Sequence, residues 1–309
     1  MSRLEGRFAA GQITGDRDCQ EDDYGLIEGG GPGAADVLLL ADGMGGHVSG
    51  DTASRMIVKT FVETYNRMDG PVTDRLRACL HAANDALADA TGKNPELNGM
   101  GATVAAAAVS QCGLEWISVG DSPLWLFRAG RLRRLNEDHS MAPVLENLVA
   151  AGRMTAKQAE MDANRHALRS AVTGEEIHLI DVSSRPVAVR KSDRVLLASD
   201  GLTTLKEEEI SRILQETNDA PLDDAVSSLM EAVEAAGDPY QDNTTVLLYA
   251  PEADSGEDMT PEDATVDDDD LDGATRVSRR GSGLPGLWSA IVERLTTSMR
   301  RSKPVDAGE

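Results

Sequence analysis

The pattern of apolar and polar positions along the chain predicts short strands mixed with longer helices. Six apolar runs, most of them bounded by Gly, Asp or Ser, are typical of strands; they are Val37–Ala41, Thr103–Val109, Leu114–Val119, Leu124–Phe127, Arg194–Ala198 and Thr244–Tyr249. Three segments carry apolar residues at helical spacing; they are Ser49–Met68, Thr73–Ala90 and Asp223–Ala236. Because strands and helices come in blocks rather than in strict alternation, the pattern favours an α+β layered fold over a parallel βαβ sheet.

The chain changes character after Tyr249. Residues 252–272 contain 11 acidic side chains and no basic one, and large apolar side chains are nearly absent. Such a segment buries too little surface to offset the entropy lost on ordering, so we expect it to be disordered. An apolar stretch returns at Leu284–Met299, followed by Arg300 and Arg301. These features divide the chain into a domain over 1–251, an acidic disordered linker over 252–283 and a short amphipathic helix with a basic end over 284–303.

Composition narrows the class of protein. A hydrophobic fraction of 40% permits a globular core, but aromatic residues make up only 3%, so aliphatic side chains must fill it. The formal net charge of −23 argues against nucleic-acid partners, since like charges repel. Three widely spaced cysteines match neither a disulfide framework nor a zinc motif. We find neither a signal-peptide pattern nor an apolar run near the roughly 20 residues that cross a bilayer, which predicts a cytoplasmic location.

Aspartates stand at the ends of four predicted strands. Asp42 follows the run VLLLA, Asp121 follows WISVG, Asp200 follows VLLAS, and Asp242 stands just before TTVLLYA. Any one of them could be an ordinary turn residue, since Asp-Gly is a common turn dipeptide. Four such residues are better explained by convergence at one end of a sheet, where their mutual repulsion requires a cation. Ligands that are all oxygen atoms favour Mg²⁺ or Mn²⁺ over zinc.

The sequence motifs around these aspartates resemble those of a known family. They read RDCQED (17–22), ADGMGGH (41–47), GMGATVAAA (99–107), VGDS (119–122), EDHS (137–140), LLASDGLT (196–203) and QDNTTVLLY (241–249). In this order and spacing they resemble the PPM family of metal-dependent protein phosphatases (the type 2C enzymes), especially its bacterial branch, over about residues 7–250. The resemblance implies a four-layer α-β-β-α sandwich of two antiparallel sheets flanked by helices. It also implies an enzyme that hydrolyses phosphoserine and phosphothreonine in proteins.

The same resemblance implies a metal centre with two Mn²⁺ or Mg²⁺ ions. Asp42 would bridge both ions, with the carbonyl of Gly43 as a further ligand, and Asp200 and Asp242 would complete the second ion's shell. Glu21 and Asp22 match an acidic pair that binds metal directly or through water. Asp121 matches the position that, with Asp200, holds a third and weaker ion in bacterial members.

The resemblance also implies roles for two side chains that are not metal ligands. A water activated by the two ions would attack phosphorus, Arg17 would bind the phosphate through parallel hydrogen bonds, and His47 would protonate the leaving oxygen. The alternative for His47 is a turn-capping or supporting role. His166 lies in a stretch, Pro143–Ala171, that matches the family's variable flap; for it we expect a solvated or structural role rather than catalysis.

Two departures from the family pattern stand near these residues. Gln20 replaces the usual Asn of the first motif, which is a mild change. Pro123 replaces the Arg that commonly follows VGDS, and this leaves open whether a third ion is bound. Every expected metal position is nevertheless present, which favours an active enzyme over an inactive relative.

Partners follow partly from the resemblance and partly from the tail. Phosphorylated proteins are the expected substrates, and the enzyme would oppose a Ser/Thr protein kinase. Thr265 and Thr275 are candidate kinase targets or ligands for a phosphothreonine-recognition domain, the alternative being an unmodified linker. The terminal helix could dock on the domain, on a partner, or peripherally on a membrane. The rival functional hypothesis is a catalytically weak phosphoprotein-binding or scaffolding module.

Overall fold

The computed structural model describes residues 8–30, 34–45, 50–251 and 275–278. Its strands are β1 (Phe8–Ile13), β2 (Asp22–Ile27), β3 (Asp36–Met44), β4 (Gly101–Ser110), β5 (Gly113–Val119), β6 (Leu124–Arg128), β7 (Arg131–Arg134), β8 (Ile180–Ser183), β9 (Arg194–Ala198), β10 (Thr244–Tyr249) and β11 (Thr275–Ser278). Its helices are α1 (Gly50–Arg67), α2 (Val72–Lys93), α3 (Ala142–Ala150), α4 (Ala156–Glu160), α5 (Glu207–Glu216) and α6 (Leu222–Ala236).

The strands form two sheets in which every neighbouring pair is antiparallel. The five-stranded sheet has the order β1-β10-β9-β6-β7, and the six-stranded sheet has the order β11-β8-β5-β4-β3-β2. Helices α1 and α2 pack on the six-stranded sheet, while α5 and α6 pack on the five-stranded sheet. The expected four-layer α-β-β-α sandwich is therefore confirmed.

Three apolar layers hold the sandwich together. One lies between α1, α2 and the six-stranded sheet, one between the two sheets, and one between the five-stranded sheet and α5, α6. Strand β4 contributes to two of them, because Ala106 and Ala108 face the helices while Ala105 and Ala107 face the other sheet. A strand covered on both faces reads as a continuous apolar run, which explains the sequence GATVAAAAVS.

All six predicted strands and all three predicted helices are confirmed, with ends shifted by a few residues; Ser49 lies outside the described residues. The unpredicted strands β1, β2 and β7 lie at sheet edges. They carry glycine, acidic or basic residues in place of an apolar run, as in RLRR of β7. Strand β8 (IDVS) has only four residues, too few for a periodic signal.

The disordered-linker prediction is wrong at residues 275–278, which form β11. This strand pairs antiparallel with β8, with Thr275 opposite Ser183 and Ser278 opposite Ile180. Backbone hydrogen bonds to an open sheet edge order a short segment whatever its flanking composition, and Thr and Val favour strands. Thr275 therefore lies in a strand, and not in a disordered context.

The rest of the predicted linker, Thr265 and the predicted helix over 284–303 lie outside the described residues. Within the described ranges, no helix is long and apolar enough to cross a membrane. The cytoplasmic location stays a prediction.

Strand β11 predicts a stability difference between two truncated chains. A chain ending at Pro251 keeps β10 and every predicted site residue, so we expect it to fold, but it loses the β8–β11 pair. Its melting temperature should lie roughly 2–4 °C below that of a chain ending at Gly283, for a loss of about 1 kcal/mol. Circular dichroism melts of both fragments and the full chain measure this. An unfolded 1–251 fragment, or equal melting of the two fragments, would contradict it.

Candidate functional site

The strand ends bring the predicted site residues to one cavity of about 810 Å³. Asp42 near the end of β3 lies opposite Asp22 at the start of β2 and opposite Thr103 of β4. Strands of both sheets contribute, because Asp121 follows β5, Asp200 follows β9 and Asp242 precedes β10. Seven of the predicted residues line the cavity: Arg17, Glu21, Asp42, Gly43, Asp121, Asp200 and Asp242. His47 lies outside the described residues.

Asp22 lies behind the cavity wall and is fixed by hydroxyl groups. Its Oδ2 accepts hydrogen bonds from Ser199 Oγ (2.8 Å), just after β9, and from Thr245 Oγ1 (2.6 Å) in β10. Its Oδ1 is buried and has no hydrogen-bond partner within the described residues, and the same holds for Oε1 of Glu21. Buried polar atoms are normally satisfied, so these two oxygens indicate a ligand at this position.

Gly43 permits a close crossing of three backbone segments beside these oxygens. A Cβ at this position would lie 2.3 Å from the carbonyl oxygen of Gly50 and 2.4 Å from that of Glu21. The Gly43 N–H donates to the same Glu21 oxygen at 3.1 Å. No side chain fits here, which explains the Asp-Gly pair and keeps the start of α1, the start of β2 and the end of β3 together.

Asn243 holds the loop that carries Arg17 and Glu21. Its Oδ1 accepts from the Glu21 N–H at 2.8 Å, and its Nδ2 donates to the carbonyl oxygens of Thr14 (2.8 Å) and Cys19 (3.0 Å). Arg17 itself donates from Nη2 to Asp242 Oδ2 at 2.5 Å, and more than half of its side chain is exposed. A side chain this exposed keeps the freedom to exchange its carboxylate partner for another anion.

Burial and mutual repulsion raise the pKa of the clustered aspartates. The pKa of Asp42 lies well above its usual range because of dehydration and then the charges of Asp22 and Asp200. Burial raises the pKa of Asp22 to about 6. Burial, followed by repulsion from Asp242, raises that of Asp200 to about 6. For Asp121 the value is about 7, from burial and then Asp200. Negative charge in this cavity therefore costs free energy that a cation would offset.

The donor set fits a hard divalent cation. Every candidate ligand is a carboxylate or a carbonyl oxygen, and the aspartates repel one another. Two buried carboxylate oxygens also lack hydrogen-bond partners among the residues that the structure describes. Among the described residues, no three Asp, Glu, His or Cys side chains already stand as a complete ligand set.

The region around Asp121 has a different arginine from the one expected. Pro123 occupies the position where the family commonly has Arg, and its carbonyl accepts the N–H of Ala198 at 3.1 Å. Arg134, at the end of β7, donates from Nη2 to the Asp121 carbonyl oxygen at 2.7 Å and lies 3.4 Å from Asp138. The β6–β7 hairpin thus supplies a cation beside Asp121 that Pro123 cannot provide.

A buried histidine supports the same turn. His139 accepts the Gly120 N–H at Nδ1 (3.2 Å), and the His139 N–H donates to the Gly120 carbonyl at 3.0 Å. Burial, and then the charge of Arg169, lowers the pKa of His139 to about 4, so the ring is neutral. Sequence reasoning missed Ser199, Thr245, Asn243, Arg134 and His139 as supporting residues; the only signal for them was their place within the recognised motifs or in a neighbouring hairpin.

Comparisons with known proteins agree with this geometry. The family described as "Protein phosphatase 2C" matches residues 15–245. The chain is 31% identical over 215 residues to the serine/threonine protein phosphatase PstP of Mycobacterium tuberculosis, a match that covers 69% of this chain and 40% of that protein. It is 31% identical over 218 residues to the serine/threonine phosphatase stp of Listeria monocytogenes, covering 69% and 83%.

A solved structure extends the likeness to the fold. The catalytic domain of PstP in complex with two manganese ions superposes with a TM-score of 0.62 at 30% identity, covering 79% of this chain and 97% of that one. The present chain thus corresponds to about two fifths of the length of full PstP and to nearly all of its catalytic domain.

The raised aspartate pKa values predict how metal-free stability depends on pH. For each of these carboxyls the folded pKa exceeds the unfolded value of about 4. Between the two values the folded chain holds protons that the unfolded chain has lost, so stability falls as pH rises. With EDTA present, we expect the melting temperature to decrease from about pH 4.5 to about pH 7.5, and Mn²⁺ to restore it most at the upper end.

The lowered pKa of His139 makes stability rise with pH, which opposes the effect of the carboxyls. Because His139 is one group and the carboxyls are several, we expect the effect of the carboxyls to be larger. Asp121→Asn removes one of the raised carboxyls and should give a shallower slope. Calorimetric melts of both proteins across this pH range, with and without Mn²⁺, provide the measurement. A metal-free melting temperature that climbs steadily through the same range would contradict the electrostatic account.

Proposed function

Because the chain belongs to the protein phosphatase 2C family, we propose that it is a protein serine/threonine phosphatase that works with a dinuclear Mn²⁺ or Mg²⁺ centre. The observation that carries the proposal is the convergence of Glu21, Asp42, Asp121, Asp200 and Asp242 on one cavity that also contains an exposed arginine. Phosphorylated proteins are the proposed substrates. A phosphate on Ser or Thr must have been installed by a kinase, so the enzyme would oppose a Ser/Thr protein kinase.

We assign ligand positions to the clustered carboxylates. Asp42 would contact two ions, with the carbonyl of Gly43 beside it, while Asp200 and Asp242 would hold the second ion. The pair Glu21 and Asp22 would bind through the buried oxygens that lack partners. When bound, such cations lower the pKa of water and stabilise negative charge on a phosphoryl group. The hydroxyls of Ser199 and Thr245 would keep Asp22 oriented.

We also propose that Asp121 and Asp200 bind a third metal ion. The cation that Arg134 places beside Asp121 lowers the pKa of that carboxyl, which favours the charged form that a metal needs, although burial raises the pKa more. Asp121 therefore has a neighbouring cation, Arg134, although Pro123 replaces the arginine of the family motif.

Arg17 and His47 would act on the substrate. Arg17 lies at the cavity with five guanidinium donors and one carboxylate contact, so it can bind two phosphate oxygens after releasing Asp242. His47 keeps the role of general acid that the family motif implies. A non-catalytic phosphoprotein-binding module would not need so many buried carboxylates that repel one another, and this favours the enzyme.

Loss of Asp42 should abolish the reaction. We expect Asp42→Ala to lower turnover of p-nitrophenyl phosphate with Mn²⁺ roughly a hundredfold or more, because charge stabilisation worth several kcal/mol is lost. Asp85→Ala, which removes an exposed aspartate of α2, is the matched control and should leave turnover unchanged. Melting curves establish that both variants are folded. Near-normal turnover by folded Asp42→Ala would refute the site assignment.

Arg17→Ala should affect substrate binding and spare metal binding. Losing a charge-assisted contact of about 1.5–3 kcal/mol should raise KM for a phosphothreonine peptide roughly tenfold or more. The Mn²⁺ concentration for half-maximal activity should stay nearly the same, and Arg17→Lys should lose less than Arg17→Ala. Steady-state kinetics at several Mn²⁺ concentrations provide the comparison. An unchanged KM would count decisively against this role.

A further inference from the structure

The cavity has a second wall, formed by the segment between α4 and β8, and His166 stands on it. His166 is exposed and lines the cavity. The sequence alone favoured a solvated or structural role for it. Its role stays a prediction, but the structure places it in the lining of the cavity that the carboxylates share.

The backbone that carries His166 is held firmly on both sides. Before it, the N–H groups of Asn164 and Arg165 donate to Asp162, at 2.9 and 3.0 Å. Ala167 donates to the carbonyl of Asn164 at 2.9 Å and accepts from the Met141 N–H at 3.0 Å. An exposed imidazole on a backbone with this many hydrogen bonds presents its donor at a defined place with little loss of chain entropy.

Two nitrogen donor groups line the same cavity from different parts of the chain. Arg17 comes from the loop after β1 and His166 from the segment after α4, and Asp42, Asp200 and Asp242 line this cavity with them. A phosphoryl group bound in the cavity is therefore accessible to donors from both segments.

We propose that His166 is a substrate-contacting residue that donates a hydrogen bond to the phosphoryl group of the bound phosphoserine or phosphothreonine, in the cavity that Arg17 also lines. The proposal rests on the proposed phosphatase function and extends it to a residue from the second wall. Phosphate, and not the metal, is the expected partner, because the other candidate ligands of the centre are all oxygen atoms. His178 also lines this wall and is exposed, so it is the comparison residue for the test.

Kinetics of three variants of the full chain test the proposal. His166→Ala should raise KM for p-nitrophenyl phosphate and for a phosphothreonine peptide roughly tenfold, with a similar rise in the inhibition constant of inorganic phosphate. His166→Gln keeps an N–H donor and should recover part of the loss. His178→Ala should cause a smaller change, and His81→Ala, on the exposed face of α2, should cause none. The melting temperature and the Mn²⁺ requirement should not change.

Each contrary result has a distinct meaning. Unchanged KM and phosphate inhibition in folded His166→Ala would overturn the contact, while normal Mn²⁺-dependent turnover in the same protein would leave the phosphatase function intact. A higher Mn²⁺ requirement with unchanged phosphate inhibition would show that His166 binds metal instead, and equal effects of His178→Ala would show a general property of the wall. Absence of any Mn²⁺-dependent hydrolysis by the unaltered chain would refute the proposed function itself.

Discussion

The rest of this structure depends on one constraint, the mutual repulsion of several aspartates that are held close together and partly buried. Asp42 stands beside Asp22, with Asp121, Asp200 and Asp242 close enough to raise its pKa. Folding the chain into this arrangement costs free energy that protonation or a divalent cation offsets. A fold devoted only to stability would not retain such a cluster. This cost is the physical reason to infer a metal centre from the carboxylates themselves.

The sandwich holds the cluster in place through its packing. The carboxylates come from the same end of both sheets, so the apolar layer between the sheets sets their separations. Uncharged side chains then fix them across the two sheets, as Ser199 and Thr245 do for Asp22 and as Asn243 does for the loop before β2. Residues far apart in sequence therefore act as one site, and their spacing along the chain carries no direct record of it.

Sequence reasoning reached the central strands because burial on both faces leaves a continuous apolar run. It predicted the aspartates because they stand at strand ends and within recognised sequence motifs. Features that depend on non-local contacts were out of its reach. Strand β11 forms by pairing with β8 across a long acidic stretch, Arg134 meets Asp121 only through a hairpin, and an exposed residue such as His166 gives no sequence signal of the wall on which it stands.

Metal binding by the unaltered chain is the most direct test of the central claim. Isothermal titration calorimetry of the EDTA-treated chain with Mn²⁺ should show about two or more ions bound per chain, because the proposed centre is dinuclear. Asp42→Asn should remove at least one of them while the protein remains folded. Absence of Mn²⁺ binding, or an unchanged number of ions in Asp42→Asn, would contradict the account.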